Sequence, residues 1–320
     1  MSKSANHRRV PAPPHPTRRR EPLPEQQPKP VQDDPEADKR IKAILASPSY
    51  RLAEEDVAFL NSEDVRGPRL QLDYLKPELL MKQHAIRQTI VVFGGTRIRE
   101  TGAIERQLTM LRAELANKPV NSDLARRIVV AERLLAKSRY YDVAREFGRL
   151  VGRSGPDFHI PDLVVMTGGG PGIMEAANRG ADSADAKSIG LNIRLPHEQY
   201  PNPYITPDLC FCFHYFALRK LHFVMRAKAL VAFPGGYGTL DELFEALTLV
   251  QTRTIKPLPI VLVGEEYWRQ AINIDFLIAE GTIDPEDREL FWYAETAKEI
   301  WDGIRHWYEA AGTPLERISQ

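Results

Sequence analysis

The chain has 320 residues, room for one large α/β domain with extensions, and its 43 basic residues are matched by 43 acidic ones. That balance leaves no surplus charge for nucleic acid or an anionic membrane surface. No apolar run approaches the ~20 residues that span a bilayer, and the first residues lack the hydrophobic core of a secretory signal, so a cytoplasmic protein is expected.

Residues 1–38 are rich in Pro, Arg, Gln and Glu and nearly free of large apolar side chains. So few apolar groups cannot offset backbone ordering entropy, and a disordered tail is predicted. Its basic clusters, Arg8-Arg9 and Arg18-Arg19-Arg20, read as solvated rather than as a nucleic-acid arm. Residues 39–85 form a helical extension in pieces. Ile41, Ile44 and Leu45 share one face, and Leu70, Leu72, Leu75, Leu79 and Leu80 another.

A core domain is predicted over 86–315. Thr89-Ile90-Val91-Val92-Phe93 is an apolar run that ends in Gly94-Gly95. Helical periodicity follows over 101–117 and 122–152. Further strands are expected at 163–166, 188–193, 209–213, 229–233 and 258–263, with helices from about 173, over 216–226, and from Thr239. Continuous apolar strands alternating with helices predict a doubly wound, Rossmann-like parallel sheet with helices on both faces. Ligand loops are then expected at the carboxyl ends of the strands, at 94–97, 167–172 and 234–239. The Gly-x-Gly-x-x-Gly dinucleotide fingerprint is absent after the first strand, and so is the full P-loop pattern. Cys210 and Cys212 alternate on one predicted strand and read as buried free thiols. His197, His214 and His222 have no metal-ligand spacing, so neither a metal nor a cofactor is expected.

The run Phe233-Pro234-Gly235-Gly236-Tyr237-Gly238-Thr239-Leu240-Asp241-Glu242 carries the most chemistry. A buried strand enters it, and Leu240, Leu243, Phe244 and Leu247 continue it as a helix. Glycines admit close approach of a ligand, and a helix start offers free N–H groups and a positive dipole end to a phosphate. Thr239 and Glu242 stand at capping-box spacing, so helix capping is the alternative role for Glu242.

These residues also carry a family resemblance. Pro-Gly-Gly-x-Gly-Thr-x-x-Glu resembles the signature of the Lonely Guy (LOG) family. Its members are phosphoribohydrolases that cleave the N-glycosidic bond of nucleoside 5′-monophosphates, and they have often been labelled lysine decarboxylases. The segment Thr167-Gly168-Gly169-Gly170-Pro171-Gly172-Ile173-Met174-Glu175 resembles the first Gly-rich loop of longer bacterial members. Arg219-Lys220 stand where the family's Arg-Lys would, before the Pro-Gly-Gly strand, but Phe216 and Ala217 replace the Met-His that precedes it.

The resemblance implies AMP or a cytokinin riboside 5′-monophosphate as substrate, cleaved to free base and ribose 5-phosphate. It implies Glu242 and Arg219 as the catalytic pair and a homodimer or higher homo-oligomer as the assembly. Phosphate and nucleotide contacts would come from Gly235, Gly236, Gly238, Thr239, Gly94, Gly95, Arg97, Gly168, Gly169, Gly170 and Lys220. A carboxylate near C1′ suits the cationic sugar of N-glycosidic cleavage. The competing reading is a non-catalytic binder of a phosphorylated, nucleotide-like cofactor, such as a molybdenum cofactor carrier. The Arg219/Glu242 pair favours catalysis. A pyridoxal-phosphate decarboxylase would need a Schiff-base Lys with an acidic partner for the pyridine ring, and no segment supplies both.

Overall fold

The structure is a computed structural model that describes residues 12–118, 120–155, 160, 163–196, 200–313 and 315. The chain divides into two compact units, Met1–Arg69 and Leu70–Gln320.

In the first unit, residues 12–36 hold one 3-10 turn, Pro24–Gln26, and are otherwise irregular. The first eleven residues of the expected tail lie outside the described residues. Helix α1 spans Ala37–Leu45, two residues earlier than the expected boundary, and α2 is the single turn Val57–Leu60. Asp56 caps α2 by accepting from the Phe59 N–H at 3.1 Å. Helix α3, Arg66–Gln83, begins here and runs on into the second unit.

The second unit is built on seven parallel strands: β1 Gln88–Phe93, β2 Leu163–Thr167, β3 Ser188–Ile193, β4 Cys210–Phe213, β5 Ala227–Ala232, β6 Ile260–Val263 and β7 Trp292–Ala294. Their order is β4-β3-β2-β1-β5-β6-β7. The chain winds outward from β1 in one direction, returns to the centre at β5, and winds outward in the other. The expected doubly wound sheet is therefore present, with its topological switch between β1 and β5, where such sheets open a crevice for ligands.

Alternate side chains of each central strand feed two different cores, because successive residues point to opposite faces. Ile90, Val92, Val165, Val231 and Val261 pack under α6 (Arg139–Gly152), α7 (Ile173–Asp182) and the C-terminal helix Ala297–Ala310. Val91, Phe93, Met166, Leu230 and Leu262 pack on the other side with Met81 of α3, Phe223 of α8 (Phe216–Met225), and Leu243 and Val250 of α9 (Tyr237–Gln251). Helices α4 (Thr101–Asn117) and α5 (Ser122–Lys137) form a hairpin with its own apolar seam of Ile104, Leu108, Leu124 and Ile128.

Two local readings need correction, and one strand was not read from the sequence. The helix expected over 122–152 is two helices. Between them Ser138 turns its hydroxyl onto the Leu135 carbonyl at 2.6 Å and onto Thr101 at 3.1 Å, a local bond that competes with helix continuation. Strand β7 has only three residues, too few for an apolar run to announce it. Cys210 and Cys212 are free, but they are not both buried. β4 is an edge strand, so Cys210 is half-buried and Cys212 is exposed.

Candidate active site

The three Gly-rich loops meet at the carboxyl edge of the sheet and are hydrogen-bonded to one another. The Gly95 N–H donates to the Pro234 carbonyl at 2.9 Å, tying the loop after β1 to the loop after β5 across the switch. The Ile173 N–H donates to the Gly95 carbonyl at 3.3 Å, tying in the loop after β2. Gly172 sits at φ 74°, and a Cβ there would lie 2.5 Å from the Gly95 oxygen. Only glycine fits both the backbone angle and the approach. The β2 loop is braced from below by a buried amide network. Asn178 accepts from Thr167 Oγ1 at 2.7 Å and from Asn202 Nδ2 at 3.0 Å, and the Asn202 N–H donates to the Gly169 carbonyl at 2.9 Å.

These loops bound a cavity of about 250 Å³ lined by Phe93, Gly94, Gly95, Thr96, Met174, Phe216, Arg219, Gly236, Gly238, Thr239, Asp241 and Glu242. Seven of the residues singled out in the sequence thus meet around one space. Helix α9 begins two residues before the expected Thr239, with Gly236 at its N-cap. The capping box between Thr239 and Glu242 is accordingly not formed. The Thr239 hydroxyl packs over Gly235, where a Cβ would come within 2.1 Å of Oγ1. Glu242 falls in the second turn and is released from helix capping. A glycine N-cap brings no side chain to the first amides of α9, at Tyr237 and Gly238, so they keep their donors free for a ligand.

Arg219 comes from α8 and Glu242 from α9. Their nearest atoms, Nη1 and Oε1, lie 3.8 Å apart, with the side chains 14% and 7% exposed. Arg219 is fixed by donating Nε–H to the Leu191 carbonyl at 2.7 Å, and its guanidinium lies 5.1 Å from the centre of the Phe223 ring. Burial pushes the Glu242 carboxyl up to about 7, against the pull of Arg219 and Lys220 toward ionisation. Burial also lowers the Arg219 pKa from its usual value. A carboxyl that changes charge near neutral pH, beside a buried cation and in a cleft, marks a candidate reaction centre.

The remaining candidates divide. Gly168, Gly169 and Gly170 shape the wall behind the cavity. A Cβ on Gly168 would sit 2.6 Å from Arg219 Nη2, one on Gly169 2.2 Å from Asn192 Oδ1, and one on Gly170 2.9 Å from the Met174 methyl. Lys220 pairs with Asp241 at 2.9 Å and Glu245 at 3.1 Å, so its ammonium is held on the flank of α9. Arg97 and Gly235 line a neighbouring cavity that shares Gly95, Thr96 and Gly236 with the first. Glu175 accepts from Tyr141 Oη at 3.0 Å, and Tyr237 is almost fully exposed.

Asp73 of α3 is a positioning residue that the sequence did not point to. Its carboxylate accepts from the His214 N–H at 3.1 Å and from the Tyr215 N–H at 3.0 Å, at the start of the helix that carries Arg219. Further along α8, His222 Nε2 contacts the Tyr74 carbonyl at 3.2 Å and Arg226 pairs with Glu78. Among the described residues no cluster of His, Cys, Asp and Glu has the makings of a metal site, and no helix is long and apolar enough to cross a membrane.

Comparison with known proteins agrees with this geometry. Residues 174–304 match the family model described as "Possible lysine decarboxylase". Cytokinin riboside 5′-monophosphate phosphoribohydrolase LOG3 of Arabidopsis thaliana is 32% identical over 168 residues, covering 51% of this chain and 74% of that protein. The chain belongs to the LOG family. The rice enzyme LOG (Oryza sativa subsp. japonica), of the same name and activity class, is 30% identical over 167 residues, covering 51% of this chain and 65% of its own length. A molybdenum cofactor binding protein from Rippkaea orientalis is 20% identical with a TM-score of 0.37 over 52% of this chain and 86% of that one, a likeness too slight to bear on function. The LOG signature places Arg219 and Glu242 on the two helices that meet at the cavity. Lys220, beside the site, is engaged by two carboxylates rather than presented to the cavity as a free amine.

Proposed function

We propose that this LOG-family protein hydrolyses the N-glycosidic bond of a nucleoside 5′-monophosphate, AMP or a cytokinin riboside 5′-monophosphate, to free base and ribose 5-phosphate. The observation that carries the reading is the buried Arg219–Glu242 pair facing the same cavity as the open amino end of α9. The 5′-phosphate is assigned to the Gly236–Thr239 turn, where a 15-residue helix presents its first amides and its positive dipole end. The ribose then extends toward Glu242. As the bond from C1′ to the base nitrogen breaks, positive charge develops on the sugar ring, and the Glu242 carboxylate stabilises it in a water-poor site. One water adds to C1′, the proton it loses passes to Glu242, and that proton goes on, directly or through solvent, to the departing base, which restores the carboxylate. Arg219 holds Glu242 in place and favours its ionised form. Phe216, exposed on the cavity rim where relatives carry Met, offers an aromatic face to the base.

The protein is further proposed to act as a cytoplasmic homo-oligomer. The large apolar residues Leu72 and Leu79, left exposed along α3, support that assembly. Light scattering that found an active monomer at assay concentration would refute it.

The deciding experiment incubates the protein with each nucleoside 5′-monophosphate in turn and measures free base and ribose 5-phosphate. Release from AMP or from an N6-substituted AMP, lost with Glu242→Gln, is expected. Uptake of nucleotides without any release of base would leave only a binding role.

A further inference from the structure

Beside the reaction cavity lies a larger one, about 430 Å³, lined by both partners of the Gly95–Pro234 hydrogen bond. The Gly95–Ile98 loop, α5 and the Pro234–Gly236 turn enclose it, and Tyr267 closes one wall by donating its hydroxyl to the Gly235 carbonyl at 2.5 Å. Its floor is apolar, chiefly Ile98, Val130 and Leu134, and its rim carries Arg97, Arg133 and Lys137.

Three features of that rim point to a ligand. No carboxylate lines the cavity, and among the described residues none of the three cations pairs with one. The carboxylate nearest in sequence, Glu132, is taken by Arg112 at 2.8 Å. The chain as a whole is neutral, so three unneutralised cations around one space depart from its average. The two cavities also share Gly95, Thr96 and Gly236 as a common wall, at the switch point where doubly wound sheets hold extended nucleotides across the crevice.

We propose that this second cavity seats the phosphates beyond the first, together with any group they carry, of a nucleoside di- or triphosphate whose first phosphate occupies the start of α9. The inference rests on the phosphate seat assigned under the proposed function. A monophosphate leaves the rim cations unpaired, whereas each added phosphate brings acceptor oxygens to Arg97, Arg133 and Lys137 through charge-assisted bonds. The protein thereby binds nucleotides longer than its substrate, and they compete with the substrate.

Calorimetric titration of the Glu242→Gln protein with AMP, ADP and ATP, at fixed ionic strength and without divalent cations, tests this. Affinity is expected to rise at least ten-fold from AMP to ATP. Adding Arg133→Ala and Lys137→Ala should return ATP to the level of AMP while AMP stays within two-fold. Arg133 is exposed and Lys137 half-buried on α5, and a melting curve checks that the fold is retained. Equal affinities for AMP and ATP in the parent, or a preference for ATP that survives the double substitution, would overturn the proposal. AMP cleavage by the Arg133→Ala, Lys137→Ala protein with Glu242 intact reports separately on the reaction. Unchanged cleavage together with no ATP preference in the Glu242→Gln protein sinks this inference alone, and absent cleavage by the wild type together with an ATP preference that the double substitution removes sinks the proposed reaction alone.

Discussion

Arg219 approaches Glu242 to 3.8 Å but spends its shortest hydrogen bond on the Leu191 carbonyl, at 2.7 Å. The pair is therefore a buried charge contact rather than a closed bidentate bridge. A carboxylate locked by two parallel N–H donors would be held ionised and satisfied. Here Glu242 keeps acceptor capacity for substrate or water, and desolvation governs its protonation.

Replacing Glu242 by Gln should keep the fold and lower kcat by at least 100-fold. The amide preserves the volume but cannot stabilise positive charge on the sugar. The binding constant for AMP should change much less, because the phosphate is held elsewhere. Steady-state kinetics with AMP checks this, and near-normal turnover by a folded variant would remove Glu242 from the chemistry.

The raised pKa of Glu242 fixes the sign of two pH effects. The reaction needs the ionised form, so kcat/KM should climb as pH rises through about 7. Stability should move the other way. The folded protein binds a proton at Glu242 that the unfolded chain has released above about 4.5, so this contribution is complete at low pH and is lost as pH rises toward 7. The full difference is about 3 kcal/mol, at 1.36 kcal/mol per pKa unit. Denaturant melts of wild type and Glu242→Gln between pH 4.5 and 8 should show wild type losing ground to the variant across that interval. Parallel pH profiles would mean that the site does not bury this charge.

Gly168→Ala should damage catalysis more than stability. The added methyl would meet Arg219 Nη2 at 2.6 Å and Met174 Sδ at 2.9 Å, the far parts of two long side chains, which can shift without breaking the core even though Nε of Arg219 is anchored to Leu191. Moving the guanidinium withdraws the cation from Glu242. A kcat loss of ten-fold or more is expected with a melting temperature within a few degrees of wild type. An unimpaired enzyme would show that the guanidinium position is not critical.

The sheet was legible in the sequence because its strands are local signals. Runs such as Ile90–Phe93 and Ala229–Phe233 need only their own apolar residues to be recognised, and the Gly-rich turns mark their ends. Glu242 and Arg219 were legible through a spaced motif. What depended on tertiary contact was hidden. The Thr239–Glu242 spacing fits a capping box, yet the helix begins at Tyr237, and packing over Gly235 engages the Thr239 hydroxyl instead. Asn202 reaches the Gly169–Gly170 backbone from beyond β3, and α5 supplies the wall of the second cavity from an apparently ordinary surface helix. No periodicity or motif announces either.

The Asp73 contact is the clearest case of such long-range support, lying about 140 residues from the amides it satisfies. The two N–H groups begin α8, whose N-cap Tyr215 provides no side-chain cap of its own. A carboxylate there meets donors that would otherwise go unpaired and complements the positive end of the helix dipole. Asp73→Ala should cost about 0.5–2 kcal/mol, the usual penalty for losing a side-chain cap at a helix start. At about 2–4 °C per kcal/mol for a domain of this size, the melting temperature should fall by several degrees. Because α8 also carries Arg219, four residues further on, kcat should fall beyond the loss of folded protein. Asp73→Asn, which retains an acceptor oxygen, should recover most of the stability and part of the rate. Melting curves and kcat for both variants give the answer. An alanine variant with wild-type melting and turnover would show that α8 is held by its other contacts with α3, at Tyr74 and Glu78, and that Asp73 does not position the site.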